Sequence, residues 1–158
     1  NENAKAEISE NNLQHEIVKK MSSNQVYYGK LSEMLQVLID QRRIEAMSYE
    51  EYLRQVVELA QAILHPEDSL DYPDTVKNSE ARRAFYDYFA KNENLAVNLD
   101  SAILSALRPD WKRNFQKQQN IRLAIYENLL IYGYDEDEAT AETAAVFEIT
   151  ERQAEYDV

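Results

Sequence analysis

Cysteine is absent from the 158 residues, and only two glycines and three prolines occur. Without thiols there is no disulfide framework and no thiolate metal site, which fits a reducing, cytoplasmic setting. The scarcity of glycine excludes more. An all-β sandwich or barrel requires turn residues about every eight to twelve positions, and a doubly wound nucleotide-binding sheet requires glycines where backbone approaches phosphate. Long apolar runs are missing as well. The longest fall far short of the ~18 residues that span a bilayer, and no basic leader precedes one, so a soluble chain is expected. The sequence opens Asn1-Glu2-Asn3, which suggests a piece of a longer protein.

What is present is 44% hydrophobic residues, enough for a real core, and long segments rich in Ala, Leu, Glu, Gln and Arg. These are the strong helix formers, so the expectation is an all-α domain of six or seven helices. A thin stripe through Ala4, Ile8, Leu13, Ile17 and Met21 predicts a weakly packed helical lead-in over residues 1–23, with Ser22-Ser23-Asn24 as break and cap. The domain proper is expected over 24–158. Leu31, Met34, Leu35, Leu38 and Ile39 predict a helix ending near Met47. Ser48-Tyr49-Glu50-Glu51 has the form of a capping box opening the next, which carries Tyr52, Leu53, Val56, Leu59, Ala60 and Ile63. His65 to Asn78 holds Pro66, Pro73 and several acids and is expected to be one long loop. Asn78 or Ser79 then caps a helix with Ala81, Ala84, Phe85 and Phe89, and Asn92 caps one with Leu95, Leu99 and Ile103. Asp110 is expected to cap a long run through Phe115, Ile121, Ile125, Leu129 and Leu130, closed by Gly133 in the left-handed conformation. A final helix runs from Asp135 toward Tyr156.

The formal charge of −12 argues against nonspecific nucleic-acid binding by the whole surface. The average hides a division, because Arg82 to Arg122 holds eight bases against four acids. Arg82, Arg83, Arg108, Lys112, Arg113, Lys117 and Arg122 are therefore candidates for DNA phosphates, with solvated helix faces as the plainer reading. Eleven tyrosines stand out. Phe85, Tyr86, Tyr88, Phe89 and Phe115 could stack bases, but the i, i+4 spacing of Phe85 and Phe89 assigns that pair to the core, with Trp111 as a further structural anchor.

No catalytic motif survives inspection, and no catalytic or metal-ligating residue is assigned. Gly29-Lys30-Leu31-Ser32 lacks the upstream glycines of a phosphate loop, and His15-Glu16 is followed by Lys19 where a zincin needs its second imidazole. His65 has no second histidine nearby, and Asp135 to Glu138 lacks the glycine of a calcium loop. Pro73-Asp74 with Asp110-Trp111-Lys112 matches a loose nuclease pattern, but that chemistry needs adjacent strands to hold its magnesium ion.

Arg83 to Tyr134 carries a series of short words in fixed order: Ala84-Phe85-Tyr86-Asp87, Asn94-Leu95-Ala96-Val97 with Leu99-Asp100, Asp110-Trp111, Ile121-Arg122-Leu123-Ala124-Ile125 and Tyr132-Gly133-Tyr134. With the Leu35 to Ile63 stretch ahead of it, this resembles the C-terminal helical domain of the motor (R) subunit of type I restriction-modification enzymes, from about Leu31 onward. Around Trp111 the chain departs from the family, which often places glycines there. The resemblance implies a noncatalytic, cytoplasmic assembly domain, without a cofactor of its own. Its parent would use ATP and magnesium in absent nuclease and translocase domains. Implied partners are the methyltransferase (modification) and specificity subunits, DNA, and other domains of the same chain, with no membrane.

Overall fold

The computed structural model describes residues 1–158 and contains eight α-helices, four 3-10 turns and no strand. The chain divides into two compact units, residues 1–71 and 72–158. No helix is long and apolar enough to cross a membrane.

The first unit is a three-helix assembly of α1 (Glu2–Lys20), α2 (Gln25–Arg43) and α3 (Tyr49–Leu64). Its core joins Leu13 and Ile17 of α1 to Tyr28, Leu31, Leu35 and Ile39 of α2 and to Leu59 and Ile63 of α3. Helix α1 is therefore part of this unit, and the division falls after Asp71 instead of after residue 23. The sequence understates α1 because one rung of its buried face is charged. The face runs Ala6, Glu10, Leu13, Ile17, while Ile8 points outward. Glu10 sits there because Arg42 Nε and Nη2 donate to its two oxygens at 2.6 and 2.9 Å, and Tyr52 Oη donates at 2.7 Å. Ser48 caps α3 through the Glu51 amide, as its position suggests. The Glu51 carboxylate does not reach back to close the box. It is drawn instead to Arg54 and Gln55.

The second unit comprises α4 (Asp74–Lys77), α5 (Glu80–Tyr88), α6 (Glu93–Ala106), α7 (Phe115–Ile131) and α8 (Glu136–Glu151). The 65–78 stretch thus contains the short α4 and a 3-10 turn at Pro66–Asp68, anchored by buried Pro66, Tyr72 and Val76. Asp110 caps nothing. It takes a left-handed conformation, φ 64°, ahead of a 3-10 turn at Trp111–Arg113, and Asn114 caps α7 instead. Left-handed backbone is where glycine costs least, so Asp110 carries a Cβ into a conformation that glycine would adopt without that penalty. Helix α8 stops at Glu151, and a last 3-10 turn tucks Tyr156 inward. Its phenol donates to Asp100 Oδ1 at 2.5 Å, while Arg82 donates to the other oxygen at 2.6 Å. Burial and the Asp100 carboxylate push the Tyr156 phenol far above its ordinary value.

Three helices end in the same way. At the ends of α2, α5 and α7 a residue with positive φ lets two amides turn back onto the final turn: Glu45 and Ala46, Ala90 and Lys91, Gly133 and Tyr134. This is the Schellman arrangement, which favours glycine at its left-handed position. Only α7 has it there; Glu45 (φ 55°) and Ala90 (φ 53°) carry a Cβ into that region. Glu45→Gly and Ala90→Gly should therefore each stabilise the protein by about 1 kcal/mol, the scale of the left-handed penalty less glycine's entropy. Urea midpoints of the two variants provide the measurement, and unchanged or lower midpoints would show that the side chains compensate.

Candidate docking surface

Most of the basic residues marked from the sequence are engaged within their own unit. Arg82 pairs with Asp100, and Arg83 donates to the Lys77 carbonyl at 2.5 Å. Arg108 turns back on the carbonyls of Ser105 and Leu107, and Lys117 on that of Pro109. Lys112 pairs with Asp157 and lies 5.5 Å from the Trp111 ring centroid. Arg122 sits over Phe147, its guanidinium carbon 3.9 Å from the ring centroid, with no carboxylate partner. Arg113 is exposed and unpaired. Lys112, Arg113 and Lys117 flank the start of α7, and five of the seven residues, Arg82, Arg83, Arg108, Lys112 and Lys117, are held by hydrogen bonds or ion pairs within their own unit.

The anchors divide. Trp111 is 1% exposed and Phe85 fully buried, whereas Phe89 is half-buried and meets Tyr88 and Tyr134 edge to face. Tyr86 is buried, so of the aromatics considered for base stacking Phe115, at 72% exposure, is the most accessible. The nuclease-like pattern dissolves. Asp74 pairs with Lys77 at the start of a four-residue helix, Lys112 with Asp157, and no strand holds either stretch. His65 does meet Glu67 at 3.1 Å beside Asp68, an exposed grouping that sequence spacing passed over.

What sequence reasoning missed lies along α7. Ile121, Ile125 and Leu129 face the core, and this accounts for one side of the helix. Phe115, Leu123 and Leu130 are exposed, and with Gln119 and Tyr126 they recur at spacings of three and four, forming a second stripe. The stripe borders an open groove of about 490 Å³ between α7 and α8, lined by Gln119, Arg122, Leu123, Tyr126, Thr140, Thr143 and Ala144. The Thr143 hydroxyl there is shut off from water without a hydrogen-bond partner, an uncommon state for a buried polar group. A helix with two apolar faces spoils the simple amphipathic period. The available signal was an excess of apolar residues over what one packing partner covers.

A family model described as type I restriction enzyme HindI endonuclease subunit-like, C-terminal, matches residues 1–156. The match extends the resemblance noted from Leu31 back through α1, in keeping with the packing of that helix on α2 and α3. No curated protein and no solved structure matches the chain. The chain therefore belongs to the family of C-terminal domains of type I restriction enzyme HindI endonuclease subunit-like proteins.

Proposed function

We propose that the domain is a noncatalytic assembly element of a type I restriction motor subunit, joining it to the methyltransferase and specificity subunits and adding a small number of DNA contacts. The exposed apolar stripe of α7, beside the open groove, carries the reading. Such a surface costs solubility in a monomer and gains free energy only when another protein covers it. ATP and magnesium chemistry belongs, in this reading, to other domains of the parent. The DNA contribution falls to Lys112, Arg113 and Lys117 at the start of α7, where the helix dipole adds to their charge. Their intrinsic affinity is small because the surrounding chain is acidic, so they act on a duplex that the assembled enzyme already holds. A stand-alone nucleic-acid module is disfavoured by the number of bases already bonded to their own chain.

The test is Leu123→Glu in the full-length subunit. Burying one leucine contributes about 1.5–3 kcal/mol, so association with the methyltransferase core should weaken about tenfold or more while the subunit's own ATPase persists. Assembly at the wild-type level would overturn the reading. Reversing Lys112, Arg113 and Lys117 together should lower DNA retention by the assembled enzyme with subunit association intact; normal restriction by that variant would remove the DNA contribution.

A further inference from the structure

A second concavity in the same unit, of about 470 Å³, is lined by Tyr88, Phe89, Ala90, Tyr134 and Glu142. It is built from the ends of three helices. The turn that closes α5 places Tyr88 and Phe89, the Gly133 turn that closes α7 places Tyr134, and the second turn of α8 supplies Glu142. The left-handed Ala90 bends the chain away at once and presents only a methyl group.

The rings form a corner. Tyr88 and Phe89 stand at 84° with centroids 4.8 Å apart, and Phe89 and Tyr134 at 76° with centroids 6.1 Å apart. Tyr88 Oη donates to Glu142 Oε2 at 2.7 Å, which fixes the carboxyl group on the wall. Burial and Glu142 push the Tyr88 phenol up to about 12, and burial with Glu142 and Glu138 raises Tyr134 as well. Negative charge thus bears on the rings from α8. No lysine or arginine of the chain pairs with Glu142.

Aromatic faces attract cations through their quadrupole, and a neighbouring carboxylate adds direct attraction. Apolar walls alone would suit a neutral side chain equally well, but the carboxylate would then lose water without a positive partner. We propose that the Tyr88, Phe89 and Tyr134 corner, with Glu142 on its wall, binds an organic cation, the ammonium or guanidinium group of a lysine or arginine side chain. The site is separate from the α7 stripe and stands whether or not that stripe mediates assembly.

The test is an NMR titration of the 158-residue chain at constant ionic strength, following the ring protons of Phe89 and Tyr134. The probes are N-acetyl-arginine amide, N-acetyl-lysine amide and choline, against 3,3-dimethyl-1-butanol as choline's neutral isostere. Either amino-acid amide and choline should give saturable shifts, with choline bound roughly two- to fivefold more tightly than the neutral alcohol, the range of exposed cation–π contacts. Glu142→Gln should weaken the cations and leave the alcohol unchanged. Tyr134→Ala should abolish the shifts at Phe89, and Tyr134→Phe should keep them. Equal binding of choline and its isostere would reduce the site to an apolar patch and overturn the proposal. The absence of saturable shifts with every cation would do the same, and both measurements use the unaltered protein.

Discussion

Trp111→Ala is expected to lower the stability of the second unit by about 3–5 kcal/mol, the usual cost of truncating a fully buried large aromatic. The indole is 1% exposed, and Phe147 meets it at 85° with centroids 5.9 Å apart. Its Nε1 donates to the Tyr156 carbonyl at 2.8 Å. Removing the ring therefore opens a cavity and also leaves a buried carbonyl without its donor, in the turn that carries Tyr156 to Asp100. The two costs separate in Trp111→Phe, which keeps much of the volume and loses the donor; about 1–3 kcal/mol should remain. Urea unfolding followed by far-ultraviolet circular dichroism gives the magnitude, and hydrogen exchange of α6 and α8 amides locates it. An unchanged midpoint together with lost DNA retention by the parent enzyme would make Trp111 a nucleic-acid contact instead of an anchor.

The all-α class was legible because nearly every helix start is written in residues that act locally. Asn24, Ser48, Ser79, Asn92 and Asp135 each accept from the amide three residues ahead. Helix ends were harder. Gly133 announces the end of α7, but Glu45 and Ala90 serve the same geometry without a glycine, so α2 was expected to run on toward Met47. Asp110 misled for a related reason. An aspartate before a helical run reads as a cap, yet its left-handed backbone hands that role to Asn114. Basic residues were visible as a cluster along the chain, but whether a guanidinium is free or committed depends on partners distant in sequence, such as Asp100 for Arg82. The α7 stripe and the aromatic corner were hidden for the same reason, since exposed and buried apolar residues look alike until their neighbours are known.

Glu10→Ala should destabilise the first unit by about 3–5 kcal/mol, because it strips one partner from a buried ion pair and leaves the other without compensation. Glu10 is 3% exposed, and the side chains of Glu10 and Arg42 are 4% and 11% exposed. Burial by itself would raise the Glu10 carboxyl. The hydrogen bonds from Arg42 and Tyr52, with the charges of Arg42 and Arg43, outweigh it and hold the group below its ordinary value of 4.5. A carboxyl depressed by folding contributes stability that is fully present above its unfolded value and is lost as pH falls through the folded one. The wild-type protein should therefore lose this contribution below about pH 4.5, and Glu10→Gln should show a flatter acid limb with lower stability at neutral pH. Urea midpoints of both proteins across that range make the comparison, and parallel profiles would mean that the pair gives nothing to folding. Replacing the whole set, Glu10→Leu with Arg42→Met and Tyr52→Phe, removes charge and donors together. It should recover most of the loss, since apolar packing of similar volume often matches a buried ion pair. Failure to recover it would show that α1 depends on the pair for its register against α2 and α3, and not only for its stability.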